Sequence, residues 1–119
     1  MREVIDKYSA MPFSYTTDCC RFAAECVESV KGENPIKDLM YSSEREAYKI
    51  IDKYGNLENA LRHYLGEPYD GHKDGDVCLI DANGGRDAAA VIYRGRVVAR
   101  VDGGLMDYPL SRAKLVWCT

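Results

Sequence analysis

A chain of 119 residues with 46% hydrophobic and 29% charged side chains lies far from the disordered regime and predicts one globular domain with a real core, without need of disulfide staples. Its net charge of −3 leaves too little positive field to hold a polyphosphate, which argues against nucleic acid as a ligand. No apolar run approaches the ~18 residues of a membrane span, and Met1, Arg2 and Glu3 do not begin a signal peptide, so the expectation is a cytoplasm-like compartment without membrane insertion.

In chain order, the first predicted element is a short helix over residues 2–8, limited by Pro12. From Asp18 onward, Cys19, Phe22, Ala23, Cys26, Val27 and Val30 form one apolar stripe at helical spacing, with Thr17 or Asp18 as N-cap and Gly32 as the stop. This is the central helix of the fold. A helix over 44–54 follows, its face made of Ala47, Tyr48, Ile51 and Tyr54 and its end marked by Gly55. Asn56 then caps 57–65, which runs to Gly66.

Beyond Gly75 the pattern changes to strands. Residues 76–81 lead to Asn83-Gly84-Gly85, a hairpin turn, and 88–93 and 96–101 flank the tight turn Arg94-Gly95. Gly103-Gly104 reads as a further turn, and 115–118 closes a small antiparallel sheet of about four strands against the central helix. The fold class is α+β. Charge changes with structure: residues 1–85 carry 10 basic and 16 acidic side chains, whereas 86–119 carry 6 basic and 3 acidic, so the C-terminal third is mildly cationic.

The five cysteines (19, 20, 26, 78, 118) match no zinc spacing and read as reduced thiols; no metal or cofactor is expected. Cys19 is the focus. It opens a helix, where unpaired N–H groups and the dipole favour a thiolate, although periodicity alone favours reading it as the small first residue of the apolar stripe. His63 falls on the helix face opposite Leu61 and Leu65 and reads as solvated, while His72, in the loop before Gly75, is a weak candidate base. Asp87 would raise the pKa of a neighbouring thiol rather than activate it. Asp70, Asp74 and Asp76 lack the EF-hand spacing and read as solvated turn acids.

Three segments carry a family resemblance. The run from Pro12 through Asp18-Cys19-Cys20-Arg21-Phe22 resembles the nucleophile segment of the NlpC-type, papain-like cell-wall hydrolases. Gly75-Asp76-Val77-Cys78-Leu79-Ile80 resembles their Gly-Asp-Leu-Val-Phe-Phe strand, and Ala90-Val91-Ile92-Tyr93-Arg94-Gly95 their Val-Gly-Ile-Tyr-Leu-Gly hairpin. The chain is most similar to a small branch found in bacteriophages and prophages, often among tail genes. That likeness extends to Tyr41-Ser42-Ser43, Gly104-Leu105, Pro109-Leu110 and Trp117.

The resemblance implies a single NlpC-like domain over residues 1–119, with Cys19 as nucleophile. It also implies a histidine where this chain has Ala89, and a third polar residue on the next strand near Ala99. Without an imidazole, acid–base catalysis worth about 10²–10⁴-fold is forfeited. The expected role is therefore a catalytically inactive papain-like domain, a structural or binding component of a virion tail or its assembly, made in the host cytoplasm. Its partners would be other virion or tail proteins, with Tyr93, Arg94, Arg96 and Arg100 as contact residues and the nine tyrosines as a source of interface area. Two alternatives stand beside it. One is a cysteine peptidase or amidase acting on peptidoglycan through Cys19 with His72 as base; the other is a small phage regulator that binds a host protein.

Overall fold

The computed structural model describes residues 1–9, 11, 18–82, 86–101 and 104–119, without the side chains of residues 82 and 101. The Pro12 boundary, the alternative cap Thr17, the turn Asn83-Gly84-Gly85 and Gly103 lie outside the described residues. Four helices come first: α1 (Arg2–Tyr8), α2 (Cys19–Lys31), α3 (Glu44–Tyr54) and α4 (Leu57–Leu65). Each of the last three begins where a side-chain oxygen caps it. Asp18 accepts from the Arg21 N–H, Ser43 from Glu46 and Asn56 from Asn59, satisfying donors that the first helical turn leaves unpaired. Gly32 ends α2 at φ +86°, a left-handed value that a β-carbon would strain.

Five strands follow: β1 (Val77–Ala82), β2 (Arg86–Tyr93), β3 (Arg96–Val101), β4 (Gly104–Tyr108) and β5 (Ala113–Trp117), with a 3-10 turn at Leu110–Arg112 before the last. They form one antiparallel sheet in the order β4-β3-β2-β1-β5. The sheet thus has five strands where about four were expected, because Gly104, read as a turn residue, instead starts β4. Two further differences are smaller. Val30 is 53% exposed, so the buried stripe of α2 stops at Val27, and the N-terminal part of β2 extends back to Arg86.

Both faces of the sheet are covered. Val77, Ala89, Val91 and Val98 pack against Phe22, Ala23, Cys26 and Val27 of α2 and Tyr8 of α1, while Leu79 and Trp117 pack with Leu57 of α4. On the second face Cys78, Ile80, Ala90, Ile92, Val97 and Ala99 are buried beneath Tyr108, Leu110 and Ala113. The chain must pass from β4 at one edge to β5 at the other, and it does so across this face. Burial on both sides explains why 77–80 and 89–92 read as continuous apolar runs rather than alternating ones. Each fully buried large side chain of these clusters contributes about 1.5–3 kcal/mol relative to exposure.

Candidate functional site

Cys19 is the first residue of α2 and is half-buried. With Cys20 it packs against the core cluster that contains Ala89 of β2. The Cys20 thiol is the main influence lowering the Cys19 pKa below the usual thiol value; burial and the Asp18 charge oppose it, and the backbone N–H groups of Ala89 and Cys20 add to it. Cys20 moves the other way, held as a thiol by its bond to Cys19, by burial and by the Cys19 charge. One sulfur is thus disposed to be a thiolate and its neighbour to be the donor that stabilises it.

Beneath this pair lies a buried polar knot that the linear pattern did not reveal. Asp18 is only 6% exposed, and besides capping Arg21 it accepts the Tyr41 hydroxyl at 2.9 Å on each carboxylate oxygen. Arg21 donates to the Tyr41 carbonyl at 2.7 Å and stacks 4.3 Å from its ring, which fastens the segment after α2 to the start of that helix. Burial pushes the Asp18 pKa up, against the Arg21 N–H and the Tyr41 hydroxyl, which pull it down. With its oxygens committed to the cap and the tyrosine, Asp18 is a structural acceptor and not a proton shuttle.

The position expected to hold an imidazole is Ala89 on β2, fully buried in the core cluster against which Cys19 packs. The expected third residue needs correction. Ala99 belongs to the opposite face of the sheet, among Cys78, Ala90 and Ile92. Since Ala90 pairs with Ala99, one more step of the same register sets Arg100 opposite Ala89. Arg100 is 5% exposed; it donates to the carbonyls of Tyr8 and Gly104, both at 3.0 Å, and its guanidinium lies 5.2 Å from the Tyr8 ring centroid. It is a buried tie between α1 and β4 and is withdrawn from the contact surface expected of it. Tyr93, Arg94 and Arg96 do cluster at the β2–β3 turn, with Arg94 5.3 Å from the Tyr93 ring and Arg96 paired to Asp107 at 2.7 Å.

Neither histidine approaches Cys19. His63 is exposed on α4 with its ring against Tyr54 and Tyr64, as the helical pattern implied. His72 is exposed in a loop pinned at the far end of the sheet, where Tyr69 N donates to Val116 O at 2.9 Å and Gly75 N to Ile92 O at 2.8 Å. A β-carbon on Gly75 would lie 3.5 Å from Val30, which is eleven residues beyond Cys19. At 1.5 Å per residue, that is about 16 Å along the axis of α2. Asp87 is paired to Lys114 at 2.5 Å.

The loop that carries His72 owes its position to acids that were expected to be solvated. Asp76 is fully buried; it accepts from the Tyr69 hydroxyl, Lys73 N and Nζ at 3.0 and 2.8 Å, and Thr119 N at 3.1 Å. Burial raises its pKa, but Lys73, Tyr69 and Thr119 together outweigh that and hold it below the usual carboxylate value. Asp74 closes the β2–β3 turn by accepting from Arg94 N and Gly95 N at 2.9 and 3.2 Å. Only Asp70 of the three is exposed without a structural bond of this kind among the described residues.

An apolar cavity of about 80 Å³ opens between α2, α3, α4 and the segment 35–41, and Asp18, Cys20, Tyr41 and Ala89 form part of its wall. Among the described residues no group of three or more histidines, cysteines or acids could hold a metal ion, and no helix is long and apolar enough to cross a membrane. No curated protein and no solved structure matches the chain. A family model does, over residues 1–119, and its description is a domain of unknown function, DUF6950. The chain therefore belongs to the DUF6950 family.

Proposed function

We propose that this chain is a papain-like, NlpC-type domain that keeps the nucleophile position and has lost the base, and that it acts as a binding or structural component of a phage tail or its assembly. The observation that carries the reading is Ala89: it stands on β2 in the core cluster against which Cys19 packs, where the resemblance assigns a histidine, and the only two histidines of the sequence lie elsewhere. The order of elements, a cysteine-led helix followed by an antiparallel sheet, supports the same reading. Tyr93, Arg94 and Arg96 at the β2–β3 turn are the contact residues of choice, joining an aromatic ring to two guanidinium groups. The tail assignment rests on the sequence resemblance.

Two assays test this. Purified chain and its Cys19→Ala variant should release no fragments from peptidoglycan, and washed phage particles should contain the chain at a fixed stoichiometry. Cys19-dependent release refutes the inactive reading; absence from particles with capture of a host protein points to the regulator instead. A cysteine peptidase or amidase is the second reading, favoured by the place of Cys19 at the first turn of α2 and by its lowered pKa. It lacks the imidazole that would protonate the departing amine, since the expected position is Ala89.

A further inference from the structure

We propose that Lys73 and Cys118 are an oxidation-dependent cross-linking site, at which hydrogen peroxide joins Nζ to Sγ as a sulfenamide and a thiol reductant releases them. The site is independent of Cys19 and of a role in a tail. Lys73 Nζ donates to the Cys118 sulfur at 3.3 Å, although the two residues lie 45 positions apart in the chain. Buried Asp76 accepts from Nζ at 2.8 Å and the Thr119 carbonyl accepts from it at 3.2 Å, so the amine is held beside the sulfur. The backbone that carries the sulfur is fixed on both sides. Trp117 is fully buried and donates its indole N–H to the Gly66 carbonyl at 2.8 Å. Thr119 donates its N–H to Asp76 at 3.1 Å and its hydroxyl to the Gly75 carbonyl at 2.6 Å. A nucleophilic amine and a thiol are thus brought together before any chemistry.

Exposure selects Cys118 for oxidation. Cys26 and Cys78 are buried and Cys19 and Cys20 half-buried, whereas Cys118 is open to a small oxidant. The thiolate is the form that attacks peroxide, and the Lys73 ammonium stands beside it as a counter-charge. A new S–O bond forms while the O–O bond breaks, which oxidises sulfur to the sulfenic acid and reduces peroxide. The departing hydroxide takes a proton from the ammonium and becomes water. Hydroxide is base enough to do so, although Asp76 first and the Cys118 sulfur second raise the Lys73 pKa. The neutral amine then attacks the sulfenic sulfur; an N–S bond forms, the S–O bond breaks, and the hydroxide that leaves takes a second proton from nitrogen. Thiolate, ammonium and peroxide have become a sulfenamide and two molecules of water, with no net release of protons. An added thiol reverses the link by attacking sulfur and expelling the amine, and a second thiol resolves the mixed disulfide.

The link removes the Lys73 charge and ties the loop before β1 to the residue that follows β5, across the 45 positions between them. Closing a span of that length restricts the unfolded chain far more than the folded one, where the two ends already meet. Urea unfolding of the linked chain should therefore move to a higher midpoint, by about 1 M or more.

The test titrates hydrogen peroxide onto the full native chain, read by intact mass and by peptide mapping without reductant. The expected product is about 2 Da lighter than the parent, with the peptide of Lys73 joined to that of Cys118, and dithiothreitol restores the parent mass. Lys73→Arg keeps a positive donor but offers no nucleophilic amine. That variant should form no link and should give about tenfold more dimedone adduct at Cys118 than the wild type, because its sulfenic acid has no neighbour to consume it. The wild-type chain decides the matter even if the variant fails to fold. Cys118 that passes to sulfinic acid or to an intermolecular disulfide while Lys73 stays unlinked overturns the proposal, as does a Cys118 that peroxide leaves untouched. A linked pair about 14 Da heavier than the parent retains an oxygen between nitrogen and sulfur and overturns the condensation step.

Discussion

Replacing Asp76 by asparagine tests whether the loop holding His72 is fixed by one buried carboxylate. The side chain keeps its shape, but only one of its two polar atoms can still accept. If the amide oxygen faces Tyr69 and the Lys73 N–H, the amide nitrogen confronts Lys73 Nζ and Thr119 N, two donors with no acceptor. A hydrogen bond to a charged group is worth about 1.5–3 kcal/mol, and Lys73, which is half exposed, regains water, so the low end applies to each and the loss totals roughly 3 kcal/mol. Urea unfolding should show it as a midpoint lowered by roughly 1–2 M at unchanged slope. The pH dependence fixes the cause. Because the folded state holds the Asp76 pKa below its ordinary 3.8, the carboxylate's contribution is complete above that value and is lost as pH falls through the lower folded pKa. The gap between wild type and variant should therefore shrink in strong acid. A deficit under about 1 kcal/mol at neutral pH, or one that persists unchanged in acid, would refute the reasoning.

Gly104→Ala sets a β-carbon 2.5 Å from the Ser9 carbonyl oxygen, a backbone atom that moves only with the end of α1, and should cost roughly 1–3 kcal/mol in the same unfolding assay. A neutral result would mean that α1 is not docked on β4. Asp18→Asn keeps a capping oxygen and removes a charge whose folded pKa is raised above 3.8. Between that value and the raised one the folded wild type holds the extra proton, so wild-type stability falls as pH rises. The asparagine variant should gain on it as pH rises above 3.8, and a relative change of opposite sign would contradict the burial of Asp18.

The helices were legible because their ends are written in the residues themselves: Asp18 and Asn56 cap, and Gly32, Gly55 and Gly66 stop. β4 was not, since Leu105, Met106, Asp107 and Tyr108 neither alternate nor form a continuous apolar run, as befits an edge strand with an exposed Met106. Arg100 was misread although the information was present. The two-residue turn Arg94-Gly95 pairs Tyr93 with Arg96, and counting back along both strands sets Arg100, and not Ala99, on the face of Ala89. Other features depend on contacts that no local pattern encodes. Tyr41 reaches Asp18 across 23 positions, and Thr119 reaches Asp76 across 43. The same holds for the cavity, whose outer wall is the irregular segment 35–41 laid over α2 and α3.

At the start of α2 the Cys19 pKa is lowered, chiefly by the neighbouring Cys20 thiol, and no imidazole attends it. The direct measurement is the rate of iodoacetamide alkylation at Cys19 against pH in the native chain, the modified site being read by peptide mass. The account predicts one inflection, below the ordinary thiol value of about 8.5, unchanged in a chain with both His63 and His72 replaced by glutamine. Protection of Cys19 throughout, an inflection at or above the ordinary value, or an inflection that vanishes with the histidines would contradict it.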